Sequence, residues 1–309
     1  MSANDPGAGD EASGTDDADT TDSANTTDEP SATADGNTIG DADVGDRPAA
    51  KRDSAEVRLA VTGAGGRMGE EVIEAAVERE DVEVVLAVNR TRTGPVAGVD
   101  VDLAEHLADR LESVDPDVLV DFTGPDSAVD YAEACANAGV AFVTGTTGFA
   151  EVELDRLRDA SDAVPVLKAA NFSRGIASLR RAVREAVAAV PGYDVEVTET
   201  HHNGKRDAPS GTANTLLDDV EAVRTDLDER VHGREGEAPR TESEIGVHAR
   251  RAGDVTGEHE VLLAGNDEVL ELTHRAGDRG VFAAGAVDAA VWVVGRDPGW
   301  YGFDDVVDS

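Results

Sequence analysis

The chain has 309 residues and a formal net charge of −38, with an isoelectric point near 4.3. This charge disfavours nucleic acid and anionic membranes as partners, because both repel an acidic protein. Cys135 is the single cysteine, so an internal disulfide is excluded and a reducing cytoplasm is the expected location. No segment approaches about 18 apolar residues in a row, and no basic region followed by an apolar core marks a secretory signal.

The acidity is spread along the whole chain. Residues 1–54 contain 14 acidic and three basic residues, a net charge of −11, so the other 255 residues retain −27. Such a surface fits a halophilic cytoplasm, where salt screens the self-repulsion; an acidic mesophilic protein is the alternative. Residues 1–54 also carry almost no large apolar side chains, so we predict that they form a disordered acidic extension.

Strands and helices are predicted to alternate over residues 55–172. Buried strands are expected at 57–62, 82–88, 118–123, 140–144 and 164–167, and helices from the glycine-rich segment to about 79 and over about 125–138. This alternation predicts an α/β dinucleotide-binding domain built on a doubly wound, Rossmann-type parallel sheet.

A different pattern follows over residues 173–278. A helix over about 173–190 and a strand at 194–200 precede a helix that begins near Gly211, and three further strands are expected near 243–250, 257–264 and 267–275. We predict a second, α+β domain with an open mixed sheet. Residues 279–309 form a helical run and an aromatic ending that we expect to return to the first domain.

A glycine-rich turn, Gly63-Ala-Gly-Gly-Arg-Met-Gly69, follows the first predicted strand. Such a turn lets the backbone approach a pyrophosphate at a helix N-terminus. The spacing is not the strict G-x-G-x-x-G, and a purely structural turn is the alternative. Its place after the first strand of an alternating pattern favours cofactor binding.

The end of the second strand usually carries a carboxylate that binds the ribose hydroxyls of NAD. Here Asn89 and Arg90 stand at that position. Without the carboxylate nothing repels a 2′-phosphate, and Arg90 can pair with it, assisted by Arg67 and Arg92. We therefore predict NADPH as the preferred cofactor and NADH as a second one; a merely solvated Arg90 is the alternative.

Three further loops follow predicted strands at the edge where open sheets bind ligands: 122–125, 145–148 and 169–173. In the second loop the glycines allow close approach, and the hydroxyls of Thr146 and Thr147 can bind the nicotinamide ribose or carboxamide. The third loop lies at the join between the two domains, which is a natural place for the nicotinamide end.

Residues 199–212 concentrate the acid–base chemistry of the chain. His201, His202 and Lys205 supply proton donors and positive charge, in a chain with only three lysines among 27 basic residues. Ser-Gly-Thr at 210–212 begins a helix, where free N–H groups bind a small anion. The motif predicts a substrate that carries carboxylates and needs a proton; a polar loop with two histidines is the alternative.

Together these segments resemble the 4-hydroxy-tetrahydrodipicolinate reductase (dihydrodipicolinate reductase) family, as an acidic haloarchaeal-type member. The matching segments are 63–69, 121–123, 145–149, 170–173, 201–213, 251–259 and 282–286, in family order over about 57–309. The histidine–lysine block with Ala-Pro-Ser-Gly-Thr is specific, and the glycine turn is not. Arg174 departs from the family pattern, and the sequence suggests no role for it.

The resemblance implies a role for each matching residue. His201 would be the general acid, Lys205 would supply charge beside it, and His202, Gly211 and Thr212 would bind substrate. The cofactor would contact Gly63, Ala64, Gly65, Gly66, Arg67, Met68, Gly69, Asn89, Arg90, Gly145, Thr146, Thr147, Ala170, Asn171 and Phe172. No metal ion is expected, and His248, His259 and His274 are expected to be surface or structural residues.

The implied reaction belongs to the diaminopimelate route of lysine biosynthesis. A cyclic dicarboxylate loses water, hydride from NAD(P)H reaches ring carbon 4, and His201 protonates the neighbouring carbon. The family also implies a homotetramer formed through the second-domain sheets. The alternatives are another two-domain NADP oxidoreductase, such as an aspartate or homoserine dehydrogenase, and a non-catalytic NADPH-sensing regulator.

Overall fold

Twelve strands and eight α-helices form the part of the protein that the computed structural model describes, residues 56–91 and 94–309. The predicted extension 1–54 and the predicted contribution of Arg92 lie outside these residues. The strands are β1 (Val57–Thr62), β2 (Val82–Asn89), β3 (Val101–Leu103), β4 (Val118–Asp121), β5 (Ala141–Thr144), β6 (Pro165–Lys168), β7 (Asp194–His201), β8 (Glu229–His232), β9 (Glu244–Arg251), β10 (Gly257–Gly265), β11 (Glu268–Ala276) and β12 (Gly299–Tyr301). The helices are α1 (Arg67–Val77), α2 (Leu107–Val114), α3 (Pro125–Ala138), α4 (Glu151–Ser161), α5 (Arg174–Ala189), α6 (Gly211–Val223), α7 (Gly280–Val293) and α8 (Phe303–Val307).

The first sheet has seven strands in the order β12-β6-β5-β4-β1-β2-β3, and all neighbours run parallel. The chain starts in the middle at β1, moves outward through β2 and β3, and resumes on the other side of β1 at β4. The predicted doubly wound parallel sheet is therefore confirmed. The crevice beyond β1 and β4, where the chain direction reverses, is the usual ligand position of such sheets.

Helices cover both faces of this sheet, which explains why its strands are almost continuously apolar. Leu59 and Val61 of β1 face the core that contains α1 and α7, and Ala60 faces the core that contains α2, α3 and α4. All three side chains are buried. A shift of β1 by one residue would turn each of these side chains to the opposite core, so the alternation specifies how β1 lies in the sheet.

The second sheet has five strands in the order β11-β10-β7-β9-β8. β10 pairs antiparallel with β11 and β7, whereas β9 pairs parallel with β7 and β8, so the predicted mixed sheet is confirmed. Ile176 of α5 and Leu216 of α6 pack on one face against Val197 and Val261. On β11, Val269 and Leu270 are 60% and 41% exposed.

The last segment packs on the first sheet. α7 contacts α1, β4, β5 and β6, and β12 pairs with β6 at the sheet edge. Asp288 of α7 accepts hydrogen bonds from Arg79 at 2.6 Å and from Arg174 at 2.9 Å. Arg174, to which the sequence assigned no role, therefore ties the start of α5 to α7.

Six elements were not predicted: β3, α2, α4, β8, β12 and α8. The sequence of α4, EVELDRLRDAS, is mostly charged and buries only Leu157, Ala160 and Ser161, so its apolar periodicity is weak. β3, β8 and β12 are strands of three or four residues, too short for a clear alternation of apolar and polar side chains. Among the described residues, no helix combines the length and the apolar character that a membrane span requires.

We predict that Gly285→Ala destabilises the fold. A methyl group built on Gly285 would lie 1.8 Å from the carbonyl oxygen of Phe172, so α7 or the 170–173 loop must move. Helix propensity alone would favour alanine by about 1 kcal/mol, whereas overpacking should cost on the order of 1–3 kcal/mol. Denaturant unfolding at constant salt measures the difference.

Ala284→Gly, at the exposed neighbouring position of α7, is the matched control. It should lose only the propensity difference of about 1 kcal/mol. A Gly285→Ala protein more stable than the wild type would show that α7 does not rest against Phe172 as described.

Candidate active site

The glycine-rich turn connects β1 to α1 and needs glycine at two positions for space. Gly63 has a φ of +67°, and a methyl group on it would lie 2.9 Å from Thr123 Cγ2. A methyl group on Gly69 would lie 2.1 Å from the carbonyl oxygen of Gly63. Gly66 caps α1 without a side chain, so the first N–H groups of the helix stay open to a phosphate.

The predicted residues of this turn divide into two groups. Gly65, Gly66 and Arg67 are exposed, where a ligand can reach them. Ala64 is buried and its N–H donates to Val88 O at 3.1 Å, and Met68 packs partly against the core. Ala64 and Met68 therefore shape the turn from inside.

Arg90 lies beside a cavity of about 360 Å³ that the glycine turn also lines, through Gly63 and Gly66. Asn89 donates its amide to the carbonyl of Thr91 at 3.0 Å, which orients the end of β2. Arg90 is exposed and makes no hydrogen bond or ion pair with another described residue. An unpaired guanidinium beside an open helix start fits a phosphate-bearing cofactor.

A buried carboxylate organises the strand ends next to this cavity. Asp121, at the end of β4, is fully buried and accepts four threonine hydroxyl hydrogen bonds. Thr62 and Thr123 donate to Oδ1 at 2.8 and 2.6 Å, and Thr144 and Thr146 donate to Oδ2 at 2.9 and 2.7 Å. The carboxylate thus joins the carboxyl ends of β1, β4 and β5.

The hydrogen bonds to Asp121 determine which groups of the 145–148 loop are available to a cofactor. The Thr146 hydroxyl is buried and bound to Asp121, so its hydrogen is not available, whereas Thr147 is exposed. Gly145 has no room for a side chain, because a methyl group there would overlap the ring of Phe122. Phe172 is 1% exposed and packs edge-on against Phe122, with 5.7 Å between ring centroids.

Asn171 connects the predicted cofactor loop to the predicted substrate helix. Its side-chain oxygen accepts from the Ser173 N–H at 2.8 Å, and its amide donates to Thr212 Oγ1 at 2.9 Å. Asn171 and Thr212 line a cavity of about 250 Å³, together with Lys168 and Arg180. A ligand at the nicotinamide loop and a ligand at the start of α6 would therefore be neighbours.

His201 ends β7 and is bound to a buried carboxylate. Its Nδ1 lies 2.6 Å from Glu199 Oε2. Arg251 donates to both oxygens of Glu199, at 2.8 and 2.7 Å, and the Ser210 N–H donates to Oε1 at 3.1 Å. His201 is 9% exposed, and its Nε2 makes no hydrogen bond with a described residue.

The start of α6 is positioned by the same carboxylate. Ser210 is the N-cap, and its hydroxyl oxygen accepts the Ala213 N–H at 3.1 Å. The N–H groups of Gly211 and Thr212, the first two of the helix, remain for a ligand. Gly211 is exposed and Thr212 is half-buried, so both are accessible.

Lys205 and His202 lie on the loop between β7 and α6. Lys205 Nζ forms an ion pair with Asp207 Oδ1 at 2.8 Å, so its charge is already partly matched. His202 is half-buried, and its ring lies beside Gly204. Of the predicted residues, His201, His202, Lys205, Gly211 and Thr212 come together at one end of the second domain.

Comparison with known proteins extends over both sheets. Residues 57–172 match the model of the N-terminus of dihydrodipicolinate reductase, and residues 175–307 match the model of its C-terminus. The 4-hydroxy-tetrahydrodipicolinate reductase of Haloarcula marismortui is 58% identical over 252 residues, 82% of this chain and 99% of that protein. The chain belongs to the dihydrodipicolinate reductase family.

Further relatives agree with this family. The 4-hydroxy-tetrahydrodipicolinate reductase of Natronomonas pharaonis is 53% identical over 81% of this chain and 100% of that protein. The dipicolinate-bound dihydrodipicolinate reductase of Paenisporosarcina sp. TG-14 has a TM-score of 0.68 at 25% identity, over 81% of this chain and 99% of that one. An amine dehydrogenase of Mycobacterium smegmatis, at 17% identity and a TM-score of 0.55, shares the fold.

Burial and nearby charged groups shift the pKa values of two histidines at this site, His201 and His259. Burial lowers the pKa of His201, and the charges of Lys205 and Arg251 lower it further, while the bond to Glu199 opposes them. Burial lowers the pKa of His259 to about 3, so this histidine is neutral. The two rings meet edge-on, with centroids 5.2 Å apart.

Several contacts of this site were not predicted. His259 was expected to be a surface or structural residue; it is 4% exposed, and its Nε2 lies 3.0 Å from the Ser210 hydroxyl. Glu199, Arg251 and Asp121 were part of the motifs but received no role. Of these, Asp121 alone had a clear signal in the sequence, because it is the one charged residue of an otherwise apolar strand, VLVD in β4.

Gly257→Ala should impair the chemistry of this reductase without loss of cofactor binding. A methyl group on Gly257 would lie 3.1 Å from His201 Nε2 and would cover that nitrogen. If His201 takes part in the reaction, we expect kcat to fall on the order of 10²-fold, because a misplacement of about 1 Å at a reacting group has effects of that order. NADPH affinity should be unchanged, because the glycine turn belongs to the other sheet.

Gly277→Ala is the control, because Gly277 has open space around it and no left-handed φ. Steady-state kinetics and fluorescence titration of NADPH measure both effects. A Gly257→Ala protein with wild-type kcat would contradict the orientation of His201.

Proposed function

We propose that the protein reduces 4-hydroxy-tetrahydrodipicolinate to tetrahydrodipicolinate, with loss of water, in the diaminopimelate route of lysine biosynthesis. The observation that carries the proposal is the Glu199 carboxylate, which binds both the ring of His201 and the backbone at the start of α6. One carboxylate therefore places a proton donor beside an anion site. The reductase names of the relatives and the dipicolinate in a solved family member support a cyclic dicarboxylate as substrate.

The substrate carboxylates need two positive sites. One carboxylate would accept from the N–H groups of Gly211 and Thr212, where the helix start favours an anion. The other would approach Lys205 and His202 on the facing loop. Two anchors hold the ring in one orientation, which lowers the entropic part of the barrier.

A bound NADPH or NADH supplies the hydride. Saturating a ring double bond also requires one proton on the carbon next to the one that receives hydride. His201 would give this proton from Nε2, since Nδ1 is bound to Glu199. A dianionic substrate beside the ring raises the pKa of His201, which offsets the lowering by burial.

The residues of the first domain fit a nicotinamide dinucleotide. A side chain on Gly63 or Gly69 would meet the backbone or Thr123, so the turn is kept free of side chains where a pyrophosphate would bind. Arg90 would pair with a 2′-phosphate, which favours NADPH over NADH. Asn171 would hold the nicotinamide end next to Thr212.

Assembly and location are part of the proposal. The exposed Val269 and Leu270 of β11 lie on the edge strand of the second sheet, which supports burial against other subunits in a homotetramer. Cys135 is the only cysteine and is buried, which supports a reducing cytoplasm.

The function is tested by NADPH oxidation in molar KCl, with substrate formed in the assay from pyruvate and aspartate semialdehyde by the preceding synthase. Wild type should oxidise NADPH rapidly, and His201→Ala should lose on the order of 10²–10⁴ in kcat while still binding NADPH. His248→Ala is the matched control, because His248 is bound to Glu196 rather than Glu199. A folded wild type that binds NADPH but oxidises none of it would refute the proposal.

Arg90→Ala should raise the KM for NADPH by about 10- to 100-fold, because a charge-assisted contact contributes about 1.5–3 kcal/mol. The KM for NADH serves as the internal control and should change little, since NADH lacks the 2′-phosphate. Equal changes for the two cofactors would mean that Arg90 does not recognise this group.

A further inference from the structure

We propose that Glu199 and Arg251 are positioning residues, which fix the tautomer and orientation of His201 so that Nε2 is the nitrogen that gives up the proton. The proposal rests on the proposed function, in which His201 is the acid. It adds two residues that do not touch substrate and act through the ring.

Strand geometry brings the first pair together. Glu199 and His201 are two residues apart in β7, so their side chains lie on the same face of the sheet. Glu199 is 1% exposed, and burial alone would raise its pKa, but hydrogen bonds from Arg251 and His201 outweigh burial and lower it. The ionised carboxylate has no hydrogen to donate, so the hydrogen in the 2.6 Å contact belongs to His201 Nδ1.

Arg251 fixes the direction of the carboxylate. It lies opposite His201 in the parallel pairing of β7 with β9, and two of its N–H groups bind the two oxygens of Glu199. A planar guanidinium with two parallel bonds permits little rotation of the carboxylate. Arg251 also donates to the carbonyl of Asp207, on the loop that carries Lys205.

The rest of the pocket leaves Nε2 free. His259 meets the ring edge-on from β10, and Gly257 of the same strand offers no side chain over Nε2. With Nδ1 bound and one side of the ring covered, Nε2 is the nitrogen that a substrate can approach. The Ser210 N–H on Glu199 ties this orientation to the start of α6.

Glu199 and Arg251 carry opposite charges, so their effects on the pKa of His201 can be distinguished. The charged and titratable groups that face His201 are Glu199, Lys205, Arg251 and His259, and the ion pair of Lys205 adds Asp207. Glu199 raises the pKa of His201 and Arg251 lowers it. The acid must be protonated, so kcat is present below this pKa and is lost as pH rises through it.

The test is the pH profile of kcat for Glu199→Gln, Arg251→Met and Arg251→Lys. Glu199→Gln should move the high-pH loss of activity to lower pH by about one pH unit, and Arg251→Met should move it to higher pH. Arg251→Lys should leave the position of the loss unchanged but reduce kcat about tenfold or more, because the charge stays and the two-bond geometry is lost. Loss of packing alone would not shift the two profiles in opposite directions.

Two substitutions serve as controls. Arg250→Met removes a neighbouring arginine of β9 whose Nε donates to Thr200, and Glu258→Gln removes a carboxylate from β10 opposite Thr200. Both should give wild-type profiles. Profiles that move in the same direction for Glu199→Gln and Arg251→Met, or that do not move, would overturn the proposal.

A measurement on the wild type separates this proposal from the function. In protein with ¹⁵N-labelled histidine, NMR reports which nitrogen of His201 carries hydrogen, without any turnover. We expect hydrogen on Nδ1 in neutral His201, and His201→Ala identifies its resonances among the seven histidines. Hydrogen on Nε2 alone would overturn the positioning role even in an active reductase, and hydrogen on Nδ1 in an inactive protein would refute only the function.

Discussion

The carboxylate of Glu199 is the interaction on which the candidate site depends. It is buried on β7 and binds the ring of His201, the guanidinium of Arg251 on β9 and the backbone of Ser210 before α6. A buried anion is tolerated only when cations and hydrogen bonds match it, and here the groups that match it are those that a proton donor and an anion site require. Charge balance and site geometry therefore follow from the same contacts.

The first domain also has a buried carboxylate at the end of a strand, but different groups match its charge. Asp121 is buried at the end of β4 and is matched by four threonine hydroxyls. These bonds join three strand ends beneath the crevice of the sheet, where the proposed cofactor would lie. Asn171, on the loop after β6, then links the first domain to Thr212 on the second domain. The protein carries a net charge of −38 and still presents Arg90 beside the glycine-rich turn and Lys205 on the loop between β7 and α6.

Much of the architecture was predictable because it depends on local patterns. The strands of both sheets except β3, β8 and β12, and the helices α1, α3, α5, α6 and α7, follow from apolar runs and turn residues. The glycine turn and the 201–212 motif are continuous segments, so they were visible in the sequence. The contacts of Glu199 with Arg251 were not, because these residues are 52 positions apart and meet only through the parallel pairing of β7 with β9. The same holds for His259, which reaches Ser210 only through the antiparallel pairing of β10 with β7.

A crystal structure with NADPH and dipicolinate bound would test the role of His201 most directly. We expect one carboxylate of dipicolinate on the N–H groups of Gly211 and Thr212, with His201 Nε2 facing the ring and Nδ1 still bound to Glu199. We also expect the nicotinamide beside Asn171 and the 2′-phosphate at Arg90. A carboxylate bound elsewhere, or a ring that turns Nε2 away from dipicolinate, would contradict the assignment of His201 as the proton donor.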